Sequence, residues 1–296
     1  NIDLYVTGSN AYLLSSELAT LLTGRYISIN VQPYSFLEYT LAYSKEKNTD
    51  RLFRQYINTS CFPEAVTLAK RNETLVNDYL QSIYETVVIK DIAQRYKLRN
   101  LHNLQRVISL VFDSIGSYVS PTNIAATLNK NSKKTISHNT IIKYLEFLTN
   151  SYIIYAAPRY DIKGKELLST NPKYYLVDLG LKNITTTNKY DADLGRKLEN
   201  VVYFELLRRG GKIYAGKNND KEIDFVVQKP NNEREYYQIA FTVNDEKTFE
   251  REISAFRNIR DNYPKFLLTL DFDKTSIEGI QKVNVIDWLL GASHSP

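Results

Sequence analysis

Glu222-Ile223-Asp224-Phe225, running on through Val226-Val227 to Gln228, is read as a strand that carries two acids. Upstream, Glu199 lies in Leu198-Glu199-Asn200-Val201-Val202-Tyr203-Phe204-Glu205-Leu206-Leu207. That segment has helical periodicity and stops at Gly210-Gly211, so its carboxylate can face a following strand. Downstream, Tyr237-Gln238-Ile239-Ala240 reads as another strand. The order is helix acid, strand acid, strand amide.

That order suits metal chemistry. A divalent ion that assists cleavage of a phosphodiester is held by two or three hard oxygen ligands, and a nearby Lys positions or activates the attacking water. Asp224 supplies one such oxygen, Glu199 a second, and Gln238 a carbonyl. The set resembles the core of a PD-(D/E)xK nuclease, with Ala240 standing where the closing Lys would be. The resemblance implies catalytic positions Glu199, Asp224 and Gln238, and metal ligands Glu199 and Asp224 for Mg or Mn. Ala240 cannot replace the lost cation, so a degenerate nuclease-like domain used for binding is favoured over an active Mg- or Mn-dependent nuclease. The plain reading of the same residues makes Glu222 and Asp224 solvated edge-strand charges and Glu199 a helix-surface acid.

Length and composition frame the rest. The chain has 296 residues, 43% hydrophobic and 24% charged, enough for two or three cores of ordinary domain size. No stretch approaches the roughly 20 apolar residues that span a bilayer, and there is no secretory leader pattern, so a cytoplasmic protein without a membrane partner is expected. The single cysteine, Cys61, excludes an internal disulfide and a Cys-based zinc site and reads as a packed small hydrophobe. A formal charge of +5 is mildly basic, below that of a dedicated DNA-coating protein. The 23 tyrosines lie in apolar segments such as Lys173-Tyr174-Tyr175-Leu176-Val177 and read as core. The chain opens directly on a strand-like run, Ile2-Asp3-Leu4-Tyr5-Val6, and contains no methionine, which leads us to expect a portion of a longer protein.

Three parts are expected. Residues 1–100 open with that strand, continue with a helical segment at 13–23 and a strand at 26–29, and become mostly helical, with helices near 50–56 and 73–93. Residues 101–163 have the pattern of a winged helix: a helix at 104–115 stopped by Gly116, a short helix at 121–128 opened by Ser120, and a third at 139–148 capped by Ser137. In that third helix Ile141, Tyr144, Leu145 and Leu148 share one face, with His138, Asn139 and Lys143 largely on the other. Tyr152-Ile153-Ile154-Tyr155 and Pro158-Arg159-Tyr160-Asp161 are expected to form the hairpin or wing. Residues 164–296 alternate strands and helices in a mixed α/β layer.

In helix-turn-helix proteins the exposed face near the start of the last helix enters the major groove while nearby cations hold phosphates. Lys130, Lys133, Lys134, His138, Asn139 and Lys143 are the candidate DNA-binding residues on that ground. The alternative is a solvated loop beside a helix pair used for interdomain packing.

Several further motifs carry a wider resemblance. Thr7-Gly8-Ser9-Asn10, Leu22-Thr23-Gly24-Arg25-Tyr26, Gln32-Pro33-Tyr34-Ser35-Phe36-Leu37-Glu38-Tyr39, Tyr175-Leu176-Val177-Asp178-Leu179-Gly180-Leu181 and Asp261-Asn262-Tyr263-Pro264-Lys265 resemble a prokaryotic family of predicted AAA-type ATPases. Members of that family carry a winged helix and a nuclease-like domain after the ATPase. The resemblance implies a multi-domain α/β chain: a partial AAA-type ATPase domain at 1–100, a winged helix-turn-helix at 101–163 and a restriction-endonuclease-like domain at 164–296. It implies ATP and Mg as cofactors of the complete protein, with Ser9 or Asn10 sensing the γ-phosphate and Arg25 acting as finger or sensor. The phosphate-binding motif G-x-x-x-x-G-K-[ST] does not occur in this sequence, so the ATPase reading belongs to the complete protein. DNA, a protein partner or a second copy of the chain are the expected partners, and a non-catalytic interaction module is the third class of function.

Overall fold

The computed structural model describes residues 5, 7–8, 27–98, 100–130, 135–185, 194–273 and 275–291. The first helix, α1 (Phe36–Ala42), starts at Ser35 because its hydroxyl accepts from the Glu38 N–H while the Glu38 carboxylate accepts from the Ser35 N–H. Helices α2 (Thr49–Tyr56), α3 (Pro63–Ala69) and α4 (Glu73–Ile83) follow, the last running on through a π-helical stretch (Tyr84–Asp91) into α5 (Ile92–Arg95). The strand expected at 26–29 is absent from described residues 27–30. They have no strand partner, and Ile27 and Ile29 are 90% and 76% exposed.

Helices α6 (Leu101–Asp113), α7 (Pro121–Asn129) and α8 (His138–Asn150) pack as a three-helix unit. Each starts at a side-chain cap, Asn100, Ser120 and Ser137 respectively. The expected wing does not form. Strand β1 (Ile154–Ala157) pairs antiparallel with β4 (Lys173–Leu176) in a two-stranded sheet, whereas β2 (Arg159–Asp161) joins a different, eight-stranded sheet. Pro158 separates them, and its carbonyl accepts from the Ala215 N–H in that larger sheet. The α/β layer therefore begins before residue 164.

The remaining elements are β3 (Glu166–Leu167), α9 (Leu179–Thr185), α10 (Leu194–Arg208), β5 (Lys212–Asn218), β6 (Lys221–Gln228), β7 (Arg234–Ile239), α11 (Glu246–Ser254), β8 (Lys265–Thr269), β9 (Thr275–Ile277), β10 (Ile280–Asn284) and α12 (Val285–Leu289). The large sheet has the order β3-β2-β5-β6-β7-β8-β10-β9. Strands β5, β6 and β7 form an antiparallel meander, and β8 returns parallel to β7 after α11. One face, with Phe225, Val227, Tyr237 and Leu268, packs with α10 in the main core. The opposite face, with Ile223, Val226, Tyr236 and Leu267, packs with Ile253 of α11 in a second cluster. The helical part is tied on through Asp178, whose carboxylate accepts from Ser60 Oγ and from the Cys61 and Gly180 N–H groups.

Candidate functional site

Strand β4 and helix α10 meet first. The Asn200 side chain completes the edge of β4, its Oδ1 accepting from the Leu176 N–H at 2.8 Å and its amide donating to the Leu176 carbonyl at 2.9 Å. Tyr175 stacks on Tyr203 at 4.2 Å between ring centroids. Strand side chains alternate, so Lys173 and Tyr175 point the same way, and both reach Glu199. Glu199 Oε1 accepts from Lys173 Nζ at 2.8 Å and from the Tyr175 hydroxyl at 2.7 Å. On the same flank of β4, opposite β1, the loop after α6 makes an antiparallel bridge from Tyr118 to Lys173, and the Gly116 N–H donates to the Tyr174 carbonyl. Gly116 has φ +70°, and a Cβ there would stand 3.2 Å from Glu199 Oε2, so both backbone and space favour glycine.

Strand β6 brings the other two acids. Tyr214 pairs with Val226 and Gly216 with Ile223, so Asp224 and Phe225 together oppose the single residue Ala215, a one-residue bulge. The bulge leaves the Asp224 N–H without a ladder partner, and Gln238 Oε1 accepts it at 3.2 Å. The Asp224 carboxylate in turn accepts from the Ile239 N–H at 2.8 Å. On the α10 face, Lys173 Nζ lies 3.7 Å from Asp224 Oδ1 and also pairs with Glu222 Oε1.

Lys173 is therefore the point on which Glu199, Glu222 and Asp224 converge. The Lys173 side chain is 4% exposed, Glu199 11%, Asp224 13% and Glu222 39%, so the cluster opens to solvent only on the Glu222 side. Burial works against the Lys173 charge, but Glu199, Asp224 and Glu222 outweigh it and hold its pKa above the ordinary lysine value. Burial first, then the charge of Glu199, pushes the Asp224 carboxyl well above the usual carboxylate range, against Lys173 and the Ile239 N–H. Tyr118, whose ring lies 5.6 Å from Lys173 Nζ, is pushed up to about 12 by burial and by Glu222.

The predicted residues divide accordingly. Glu199 and Asp224 come together, and neither is a solvated surface acid, since Glu199 is buried on α10 and β6, which carries Asp224, sits inside the eight-stranded sheet. Gln238 does not join them. Its neighbours Tyr236 and Ala240 pack on the α11 face, and its amide donates to Glu252 Oε2 at 2.7 Å while its carbonyl is taken by the Asp224 N–H. It is thus a spacer that repairs the bulge rather than a ligand. A cation does stand beside the two acids, Lys173, delivered from β4 by a stretch that reads in the sequence as an apolar tyrosine-rich run. The signal available there was a lone lysine opening a strand that is otherwise apolar.

Glu199 and Asp224 are the oxygens that would hold Mg or Mn, yet they do not fit a resident ion as arranged. The Lys173 ammonium fills their point of convergence, and Glu199 Oε1 and Asp224 Oδ2 are already accepting other donors. Among the described residues no group of three or more His, Cys, Asp or Glu side chains is set to hold a metal.

On the three-helix unit, His138, Asn139 and Lys143 lie exposed on the outer face of α8, opposite the buried Ile141, Tyr144, Leu145 and Leu148, and Lys130 is exposed at the end of α7. Lys133 and Lys134 lie outside the described residues, as do Ser9, Asn10 and Arg25.

The sequence is 41% identical over 294 residues to an uncharacterized protein of Haemophilus influenzae, a match covering 98% of this chain and 71% of that protein. The chain belongs to the family of that protein. Residues 1–40 match the family model of an AAA domain, which supports an AAA-type family. Residues 50–191 match a model described as a Domain of unknown function (DUF8612). A second relative, an uncharacterized protein of Methanocaldococcus jannaschii, is 27% identical over 301 residues, covering 96% of this chain. The chain spans 71% and 65% of the lengths of these two relatives. No solved structure matches it. No helix among the described residues is long and apolar enough to cross a membrane.

Proposed function

We propose that this chain is the portion of an AAA-type ATPase that engages DNA through α6, α7 and α8, with the α/β domain as a nuclease-like module that binds without cutting. The observation that carries the reading is the outer face of α8. His138, Asn139 and Lys143 are exposed at its N-terminal half, while the opposite face is buried in the three-helix core. On this reading ATP and Mg act at the AAA domain of the complete protein, to which residues 1–40 belong. The test is fluorescence anisotropy of the whole chain with duplex DNA at several salt concentrations. Affinity should fall with salt with a slope of about 0.9 per phosphate contact, and Lys143→Ala should reduce that slope by about one contact. Binding that is absent or indifferent to salt would replace DNA with a protein partner or a second copy of the chain.

A second reading, a Mg- or Mn-dependent nuclease in the α/β domain, rests on Glu199 and Asp224 lying together and requires Lys173 to leave the point where they converge. Its test is cleavage of the same duplex with Mn present. Cleavage abolished by Asp224→Ala would establish it, and an intact duplex would set it aside.

A further inference from the structure

We infer that Lys173 is a built-in counter-cation: its ammonium takes the place of a divalent metal in the α/β domain, and its removal would open a cation site formed by Glu199, Glu222 and Asp224. The inference concerns this domain alone and stands whether or not α8 meets DNA.

Three carboxylates pointing at one spot need positive charge there, and two sources could supply it, a metal or a side chain. Here the side chain is fixed in place. Lys173 is paired on one flank with Ala157 of β1 and bridged on the other to Tyr118, so its backbone is held on both sides. Its stem is buried, and its Nζ meets Glu199, Glu222 and Asp224 together. A divalent ion at that position would have to coexist with an ammonium, at close range and away from bulk water, where like charges repel strongly.

The oxygens, by contrast, are of the kind hard cations take. Glu199 Oε2, Asp224 Oδ1 and the Glu222 carboxylate remain after Tyr175 and the Ile239 N–H have taken their share. With the ammonium gone, these would surround a vacant point at the solvent-facing side of Glu222. The change from amine to metal requires only one side chain, which makes the assignment testable by substitution.

The experiment is Mn binding by the whole chain without DNA, followed by electron paramagnetic resonance of free Mn, for the natural protein, Lys173→Met and Lys173→Met combined with Asp224→Asn. The natural protein should show no saturable site, Lys173→Met should bind one Mn per chain saturably, and the double variant should lose that site. Saturable binding by the natural protein would overturn the inference, as would a folded Lys173→Met that binds no Mn. Should Lys173→Met fail to fold in metal-free buffer, circular dichroism with and without Mn decides: recovery of the fold on adding Mn supports the inference, and no recovery overturns it.

Discussion

Lys173 Nζ and Glu199 Oε1 meet at 2.8 Å, bringing β4 and α10 together from positions 26 apart in the chain. Glu199 is the deepest of the lysine's partners and Glu222 the most exposed. Removing one member of a buried pair strands the other charge, whereas an exposed partner is replaced by water. Glu199→Ala should therefore lower the unfolding free energy by about 3 kcal/mol, the low end for a buried pair because two acids remain. Glu222→Ala should cost less than about 1 kcal/mol. Urea denaturation of both variants makes the comparison, and equal losses would contradict the burial argument.

Gly116 and Gly210 both have positive φ, +70° and +81°, but only Gly116 has neighbours in the way of a side chain. Gly210→Ala should cost about 1 kcal/mol for the left-handed backbone. Gly116→Ala should cost about 1 kcal/mol more, because its Cβ presses on Glu199. Thermal denaturation of the pair checks the difference.

Gln238 answers two groups, the Asp224 N–H and Glu252. Replacing it by Leu keeps the volume but leaves both without that partner, at a cost of about 1–3 kcal/mol. Hydrogen exchange at the Asp224 amide should accelerate in Gln238→Leu. Unchanged protection would mean that the bulge does not depend on this side chain.

Asp178 is buried at the junction of the helical part with α9, and burial raises its pKa to about 6 against the donors Cys61, Ser60 and Gly180. A raised folded-state pKa means that the folded chain holds the proton more tightly than the unfolded one. The contribution is thus largest below about pH 4, falls as pH rises from about 4 to 6, and is lost above that range. The swing is about 3 kcal/mol. Stability measured from pH 4 to 7 should show this fall in the natural protein relative to Asp178→Asn, and parallel curves would refute it.

Much of the local structure was legible because it is written in short-range chemistry. The caps at Ser120 and Ser137, the apolar face of α8, and the helix and strand that carry Glu199 and Asp224 all follow from neighbours within a few positions. Helices α1 and α3 and strands β9 and β10 were not singled out, since short segments carry too few periodic positions. The wing failed for another reason: two adjacent strand-like pieces read as a hairpin, but β1 and β2 found better partners far along the chain.

The sequence by itself determined that a helix acid precedes a strand acid, that the chain begins with AAA-type character, and that no lysine follows at Ala240. Only the tertiary structure decided what those acids do. A bulge of one residue at Asp224 is invisible in a sequence, yet with side chains alternating every second position it governs which face each residue joins, and Gln238 went to the other one. Lys173 enters from a separate strand because Asn200 and Tyr175 dock β4 onto α10. The charge that completes a buried site is supplied by whatever cation the fold brings near, and proximity in space is set by packing across the chain.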